Sequence, residues 1–347
     1  MDDCCLAQSL LAAGLEESRI EQVIDSGYIL RHWVPGPSGE PNISISDAMY
    51  GNKAFSSRFE IAAFVDYVRG VRRFEPAPQL RREKVKSLAE IYEVLSEAPR
   101  AGYIREGSLT FRGQPREYTF KRIIPNPVRG DHEGREISIM PGVYRQTNSN
   151  YSFAVQPREI RSFEFFAREF EQEADPFDLH FSYDLMRTEQ HYASQTAGLD
   201  VSFDMMPALF FATYRFEHNP DGLCDYRAVP PGAHQGVIYL FRFGMPSVTK
   251  TEFLIRDFDF FRTHRPERVL RQDCGLPLID AYERNIALTE VDCIIELDAD
   301  FSSGEGLAPN YLFPGVNDDG FYRKLLQLKD RYPKPLSNIV EYRWARN

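Results

Sequence analysis

The sequence predicts an α+β protein in which strands and helices follow one another irregularly, behind an N-terminal helical segment. Three observations carry that reading. Two near-continuous apolar runs, "GVIYLFRF" at 236–243 and "CIIELD" at 293–298, have the length and composition of buried strands. Helical periodicity occurs separately, in "SLAEIYEVLSEA" at 87–98, where Leu88, Ile91, Tyr92 and Leu95 form one apolar face. The stretch "YTFKRIIPNPVRGDHEGREISIMPGVYRQ" is rich in proline and glycine, which predicts turns and short strands.

Taken in chain order, residues 1–85 form the helical segment. "LAQSLLAAGLEESRIEQVID" has helix-forming composition broken by Gly14, and "GPSGEPN" at 36–42 is loop chemistry. "SSRFEIAAFVDYVRGVRRF" places Phe59, Ala63, Tyr67 and Val71 at helical spacing, and its basic end suits a helix C-terminus better than a nucleic-acid patch. "PAPQLRREK" at 76–84 reads as a linker into a domain covering 86–332, with 333–347 as a C-terminal tail. Within that domain "SLTFRG" is a strand, and "SFEFFAREFEQEA" at 162–174 sets Phe163, Phe166 and Phe170 along one side of a helix.

Bulk properties narrow the function classes. A formal net charge of −10 over 347 residues disfavours a surface built for nucleic acid. No apolar run approaches the roughly 20 residues needed to cross a bilayer, so a soluble, cytoplasmic protein without a membrane partner is expected. The five cysteines, at 4, 5, 224, 274 and 293, form no CxxC pair, and the seven histidines are scattered, so no metal cofactor is expected. No GxSxG elbow, GxGxxG or GxxxxGK[ST] motif is present.

The densest set of chemistry-bearing residues is "RTEQHYASQTAGLDVSFDMMPALFFATYRF" at 187–216. It reads as a helix ending near Ala193, a turn, an extended "LDVSFD", then a helix whose small face is Ala208, Phe211 and Ala212. Alternation directs Asp200, Ser202 and Asp204 to one side of the extended segment. The alternative is structural: Ser202 or Asp204 caps the following helix, and His191 is a hydrogen-bonded core residue. Earlier in the chain, Phe111-Arg112-Gly113 ends an apolar run with a cation. A surface turn explains the glycine; an anion facing Arg112 explains the arginine.

These blocks resemble the FRG domain family, whose Phe-Arg-Gly motif is reproduced at 111–113. "SLAEIYEVLSEA" is similar to the helix before that motif, and "PGVYR" at 141–145 to the family's Pro-x-hydrophobic-aromatic-Arg block. "EQHYASQTAGLDVSFDMMPALFFA" resembles its QHYG-x-PTRLLDWT-x-SP-x-x-ALYFA block over Gln190, His191, Tyr192, Thr196, Leu199, Asp200, Ser202 and Ala208 to Ala212. "RVLRQDCGL" at 268–276 and "YLFPGVNDDGFYRKL" follow in the same order, so the likeness spans about 87–331. It departs at Ala193 for glycine, Ala197 for arginine and Val201 for tryptophan.

The family is in turn distantly similar to ADP-ribosyltransferase folds. That likeness implies a mixed, mostly antiparallel split sheet with flanking helices, and a small-molecule nucleotide, NAD, as substrate. Residue by residue it implies Arg112, Ser202 and Gln272 as the catalytic set, with Arg112, His191, Tyr192 and Asp200 binding NAD. Glu290 and Glu296 are further carboxylate candidates. Residues 1–85 would engage a protein acceptor or partner. Two alternatives stay open: a non-catalytic ligand- or partner-binding module, and a nuclease using Asp200 with Asp204.

Overall fold

The computed structural model describes residues 3–27, 29–32, 42–45, 61–77, 79–97, 109–142, 145, 187–194, 196, 198–220, 222–242, 254–255, 265–277, 291–304, 308–334 and 336–345. The expected helix at 162–174 and the positions of Ala197 and Glu290 lie outside these residues.

Helix α1 (Asp3–Ala12), α2 (Ile20–Asp25), the antiparallel pair β1 (Ile29–His32) and β2 (Asn42–Ile45), and α3 (Ile61–Val68) open the chain. Leu10, Val23, Phe64 and Val65 are buried together as the centre of this segment. Val71, expected on the α3 face, is exposed, because Gly70 at φ 77° turns the chain out of the helix. The remaining elements are β3 (Arg81–Ser87), α4 (Leu88–Glu97), β4 (Leu109–Gln114), β5 (Thr119–Lys121), β6 (Arg135–Ile137) and α5, described over 187–192. Then come β7 (Val201–Ser202), α6 (Met205–Thr213), β8 (Tyr214–His218), β9 (Leu223–Ala228) and β10 (Val237–Arg242). The chain closes with β11 (Leu254–Ile255), α7 (Glu267–Arg271), β12 (Cys274–Pro277), β13 (Val291–Ser302), α8 (Pro309–Leu312), α9 (Gly320–Arg331) and β14 (Glu341–Trp344).

The protein is mixed α+β. Its main sheet runs β11-β12-β7-β4-β10-β13-β3, antiparallel except for β3, which joins β13 in parallel. The two apolar runs become β10 and β13, next to each other. Alternation along β13 sends Cys293, Ile295 and Leu297 to one face and Ile294 to the other. The segment 81–84, read from sequence as the end of a linker, is instead the start of edge strand β3. Its charged residues suit an edge, with Arg82 paired to Glu296 and Glu117 and Lys84 to Asp298.

Helix α6 lies against β4, and Gly113 makes this possible. A Cβ on Gly113 would sit 1.7 Å from the Ala208 carbonyl oxygen and 2.9 Å from the Ala212 amide nitrogen. The expectation that Gly113 turns the strand away is therefore corrected. β4 continues through Gln114, and the glycine serves close approach of a helix. Asp204 caps α6 by accepting the Met206 N–H at 2.9 Å, which is the structural alternative foreseen for it.

Residues 333–347, expected to be a tail, contribute β14 to a second sheet, β14-β9-β8. Val340 N–H also donates to Tyr192 O, and Ser194 N–H to Asn338 O, each at 2.8 Å. Helix α9, capped by Asp319, buries Phe321, Tyr322, Leu325 and Leu328 beneath α5 and α7.

Candidate functional site

Strands β4 and β7 pair through one register position, Phe111 with Ser202. Beside that narrow join lies a cavity of about 170 Å³. Arg112, Gln190, His191, Asp200, Ser202 and Gln272 line its polar side. Five of the six residues expected at a site from the sequence are therefore brought together from β4, α5, β7 and the end of α7.

Arg112 is the organising cation. Its Nη1 donates to Asp200 Oδ1 at 2.6 Å and to the Asp200 carbonyl oxygen at 2.7 Å. Both side chains are mostly buried, at 14% and 20% exposure, so solvent screens the pair weakly. Burial opposes the Asp200 charge, but Arg112 outweighs it and, with His191, holds the carboxyl down at about 2. Gln190 Nε2 donates to the same Oδ1 at 3.0 Å, and Thr196 Oγ1 donates to Gln190 Oε1. Because the amide oxygen takes the threonine proton, the amide nitrogen must face Asp200. Thr196, Gln190, Asp200 and Arg112 thus form one relay. Gln190 and Thr196 had no assigned role in the sequence; their spacing from Asp200, 10 and 4 positions, gave no sign of it.

His191 is buried, and its Nε2 has no hydrogen-bond partner. Burial lowers its pKa to about 4 against the pull of Asp200, so the imidazole is neutral at pH 7. Arg112 Nε is likewise buried and unpartnered. Two unsatisfied polar atoms on residues lining one cavity are costly unless something completes them.

Ser202 and Gln272 are differently placed. Ser202 donates its proton to the Gln272 carbonyl oxygen at 2.8 Å and accepts the Asp204 N–H at 3.0 Å. Gln272 caps α7 and donates Nε2 to Leu312 O at 3.1 Å. Asp273 follows at φ 42°, the left-handed backbone that lets the chain leave α7 and enter β12. Tyr192 does not reach the cavity, which corrects the expectation that it binds ligand. It is fully buried, and its hydroxyl donates to Asp319 Oδ2 at 2.5 Å, because α9 covers that face of α5. Asp204, expected beside Asp200 and Ser202, is taken by its capping bond. Glu296 pairs with Arg82 at the sheet edge.

Part of the lining is aromatic and was not foreseen. Phe211 from α6, Phe216 from β8, Phe313 after α8 and Tyr342 from β14 line the same cavity. Their ring centroids form a connected belt, at 5.6 Å for Phe211–Phe216, 5.7 Å for Phe216–Phe313 and 4.7 Å for Phe313–Tyr342. Behind the belt the buried Arg268 guanidinium sits 5.0 Å from the Tyr342 ring and 5.7 Å from that of Phe313. Cation–π contact fixes those rings from the far side. Nothing near Phe216, Phe313 or Tyr342 in sequence marks them as neighbours.

Among the described residues no helix is long and apolar enough to cross a membrane. Comparison of the chain with family models, with curated proteins and with solved structures returns no match.

Proposed function

We propose that this chain is an NAD-consuming enzyme of the FRG type, an ADP-ribosyltransferase or NAD glycohydrolase. The observation that carries the reading is the Arg112–Asp200 pair in a cavity beside an unpartnered His191 Nε2. The chemistry asks for such a set. When the bond between ribose C1′ and the nicotinamide nitrogen breaks, its electron pair neutralises the ring nitrogen and positive charge builds on the ribose. Water or an acceptor nucleophile then adds at C1′ and gives up its proton. Asp200, ionised throughout the neutral range, offsets the ribose charge. Arg112 offers its remaining N–H groups to a phosphate or ribose oxygen, and neutral His191 hydrogen-bonds the substrate. At about 170 Å³ the cavity is smaller than the roughly 300–1,000 Å³ of sites that enclose drug-sized ligands. It fits the reacting end of a dinucleotide and leaves the rest outside. The resemblance to FRG proteins, and through them to ADP-ribosyltransferases with a split sheet, supports the same reading.

Incubating the pure protein with NAD and following nicotinamide release tests this. Release is expected, falling about a hundredfold or more in Arg112→Ala and in Asp200→Asn. Absence of release together with an unchanged melting temperature in NAD overturns the proposal. A second reading, a binding module without turnover, is favoured by one observation. Of the three residues expected to act in catalysis, Ser202 has its proton and Gln272 one amide hydrogen taken by structural hydrogen bonds. It predicts a rise in melting temperature with NAD and no nicotinamide.

A further inference from the structure

We infer that the aromatic wall is the seat of a flat heteroaromatic ring of a nucleotide, and that Tyr342 of the C-terminal strand is the contact that selects for it. The inference rests on the nucleotide class of the reading above, not on turnover.

The wall has the properties of a ring seat. Phe211, Phe216 and Tyr342 pack as one belt, are only partly buried and all line the cavity. An apolar ring laid there removes that surface from water, and aromatic faces accept any heterocycle by stacking. The cavity lining combines rings with the polar Arg112, Asp200, His191 and His218, which matches a base joined to a sugar and phosphate. Its size suits one ring system.

The seat is also rigid before ligand arrives. Arg268 lies 3.9 Å from the Tyr322 ring and 4.8 Å from that of Tyr192, as well as behind Phe313 and Tyr342. The same guanidinium donates to the His191 carbonyl oxygen at 3.3 Å. Tyr342 is held by parallel pairing with Cys224, and the residues just before it are stapled to α5 through Tyr192 and Ser194. The polar wall and the ring wall are thus fixed to each other through Arg268 and the C-terminal strand. A preorganised slot loses little entropy on binding.

The enzyme reading puts nicotinamide at this wall, whereas adenine there would leave the reacting end outside the cavity, and the test separates the two. Affinities of the full chain for ADP, nicotinamide mononucleotide and ribose 5-phosphate are measured by calorimetry, for wild type, Tyr342→Phe, Tyr342→Ala and Phe216→Leu. One ring-bearing ligand is expected to bind the wild type and Tyr342→Phe alike, and to weaken about tenfold or more in Tyr342→Ala and Phe216→Leu. Ribose 5-phosphate is expected to bind all four equally. ADP as the tight ligand assigns adenine to the wall, and nicotinamide mononucleotide assigns nicotinamide. Phe216→Leu keeps the bulk and leaves β14 intact, so it decides the matter if Tyr342→Ala fails to fold. The inference is overturned if neither ring-bearing ligand outbinds ribose 5-phosphate, or if Phe216→Leu binds as the wild type does. Ring-dependent binding without NAD cleavage sinks the enzyme reading alone. NAD cleavage indifferent to Phe216→Leu and Tyr342→Ala sinks this inference alone.

Discussion

At the scale of single residues, Arg112 and Asp200 show how a site is held by charge. The Asp200 carboxyl, at about 2, lies below its ordinary value near 4. Its charge therefore stabilises the fold above pH 4, and that contribution is lost as pH falls towards 2. A depression of about two units corresponds to about 2–3 kcal/mol. Arg112→Ala removes the pairing and leaves the buried carboxylate without its cation. The stability difference between wild type and Arg112→Ala, measured by urea unfolding, is expected to be about 2 kcal/mol or more at pH 6 and to fall by about 1 kcal/mol or more by pH 3, where Asp200 begins to protonate. Equal differences at the two pH values would mean that the pair does not hold Asp200 ionised. The sequence left Arg112 open between a surface turn and an anion-facing group, and the structure puts it inside β4 against Asp200. Its partner, 88 positions away, was visible only as one of three alternating polar residues.

At the scale of elements, helix α6 on strand β4 places the cavity. The helix was legible from its composition and capping residue, and the strand from its apolar run. Their contact was not, since the role of Gly113 depends on the backbone of residues almost 100 positions later. With Cβ 1.7 Å from a backbone oxygen, Gly113→Ala has no way to relax by a side-chain shift. It is expected to cost more than about 3 kcal/mol, at or beyond the usual range for overpacking. Gly315→Ala, where no atom lies within 4 Å of the added Cβ, serves as the control and is expected to be nearly neutral. Thermal unfolding of both variants decides it; similar melting temperatures would show that α6 moves away cheaply. Period-2 alternation also misled at this level. Asp200 and Ser202 face the cavity, but at Asp204 the chain is already turning into α6, so alternation ends one residue too early for the second carboxylate.

At the scale of the whole molecule, the N-terminal segment is joined to the rest through the β5–β6 hairpin. Ile124 completes its apolar core, and Ser26 Oγ accepts the Ile124 N–H at 3.0 Å. Arg122, buried with Glu136 at 2.6 Å, donates to the Ser26 carbonyl oxygen at 2.7 Å. Ser26→Ala removes the acceptor of the Ile124 N–H and the donor to the Gln22 carbonyl oxygen, so it is expected to cost about 1–3 kcal/mol. Hydrogen exchange should place the loosening both in α2 and at Ile124; loosening confined to α2 would show that the hairpin does not depend on the segment. The sequence offered no hint of this joint, because its two halves lie almost 100 residues apart.

The sequence by itself determined the elements that depend on neighbours within a few positions. These are the apolar strands β10 and β13, the amphipathic α4 and the capped α6. Local hydrogen bonding and periodic burial decide such features, and both are written in short windows. The tertiary structure alone decided that Gly113 seats a helix, that Tyr192 belongs to the core, and that the supposed tail supplies Tyr342 to the cavity. Each of these depends on which surfaces of distant segments meet, and close packing selects those meetings from the whole chain at once.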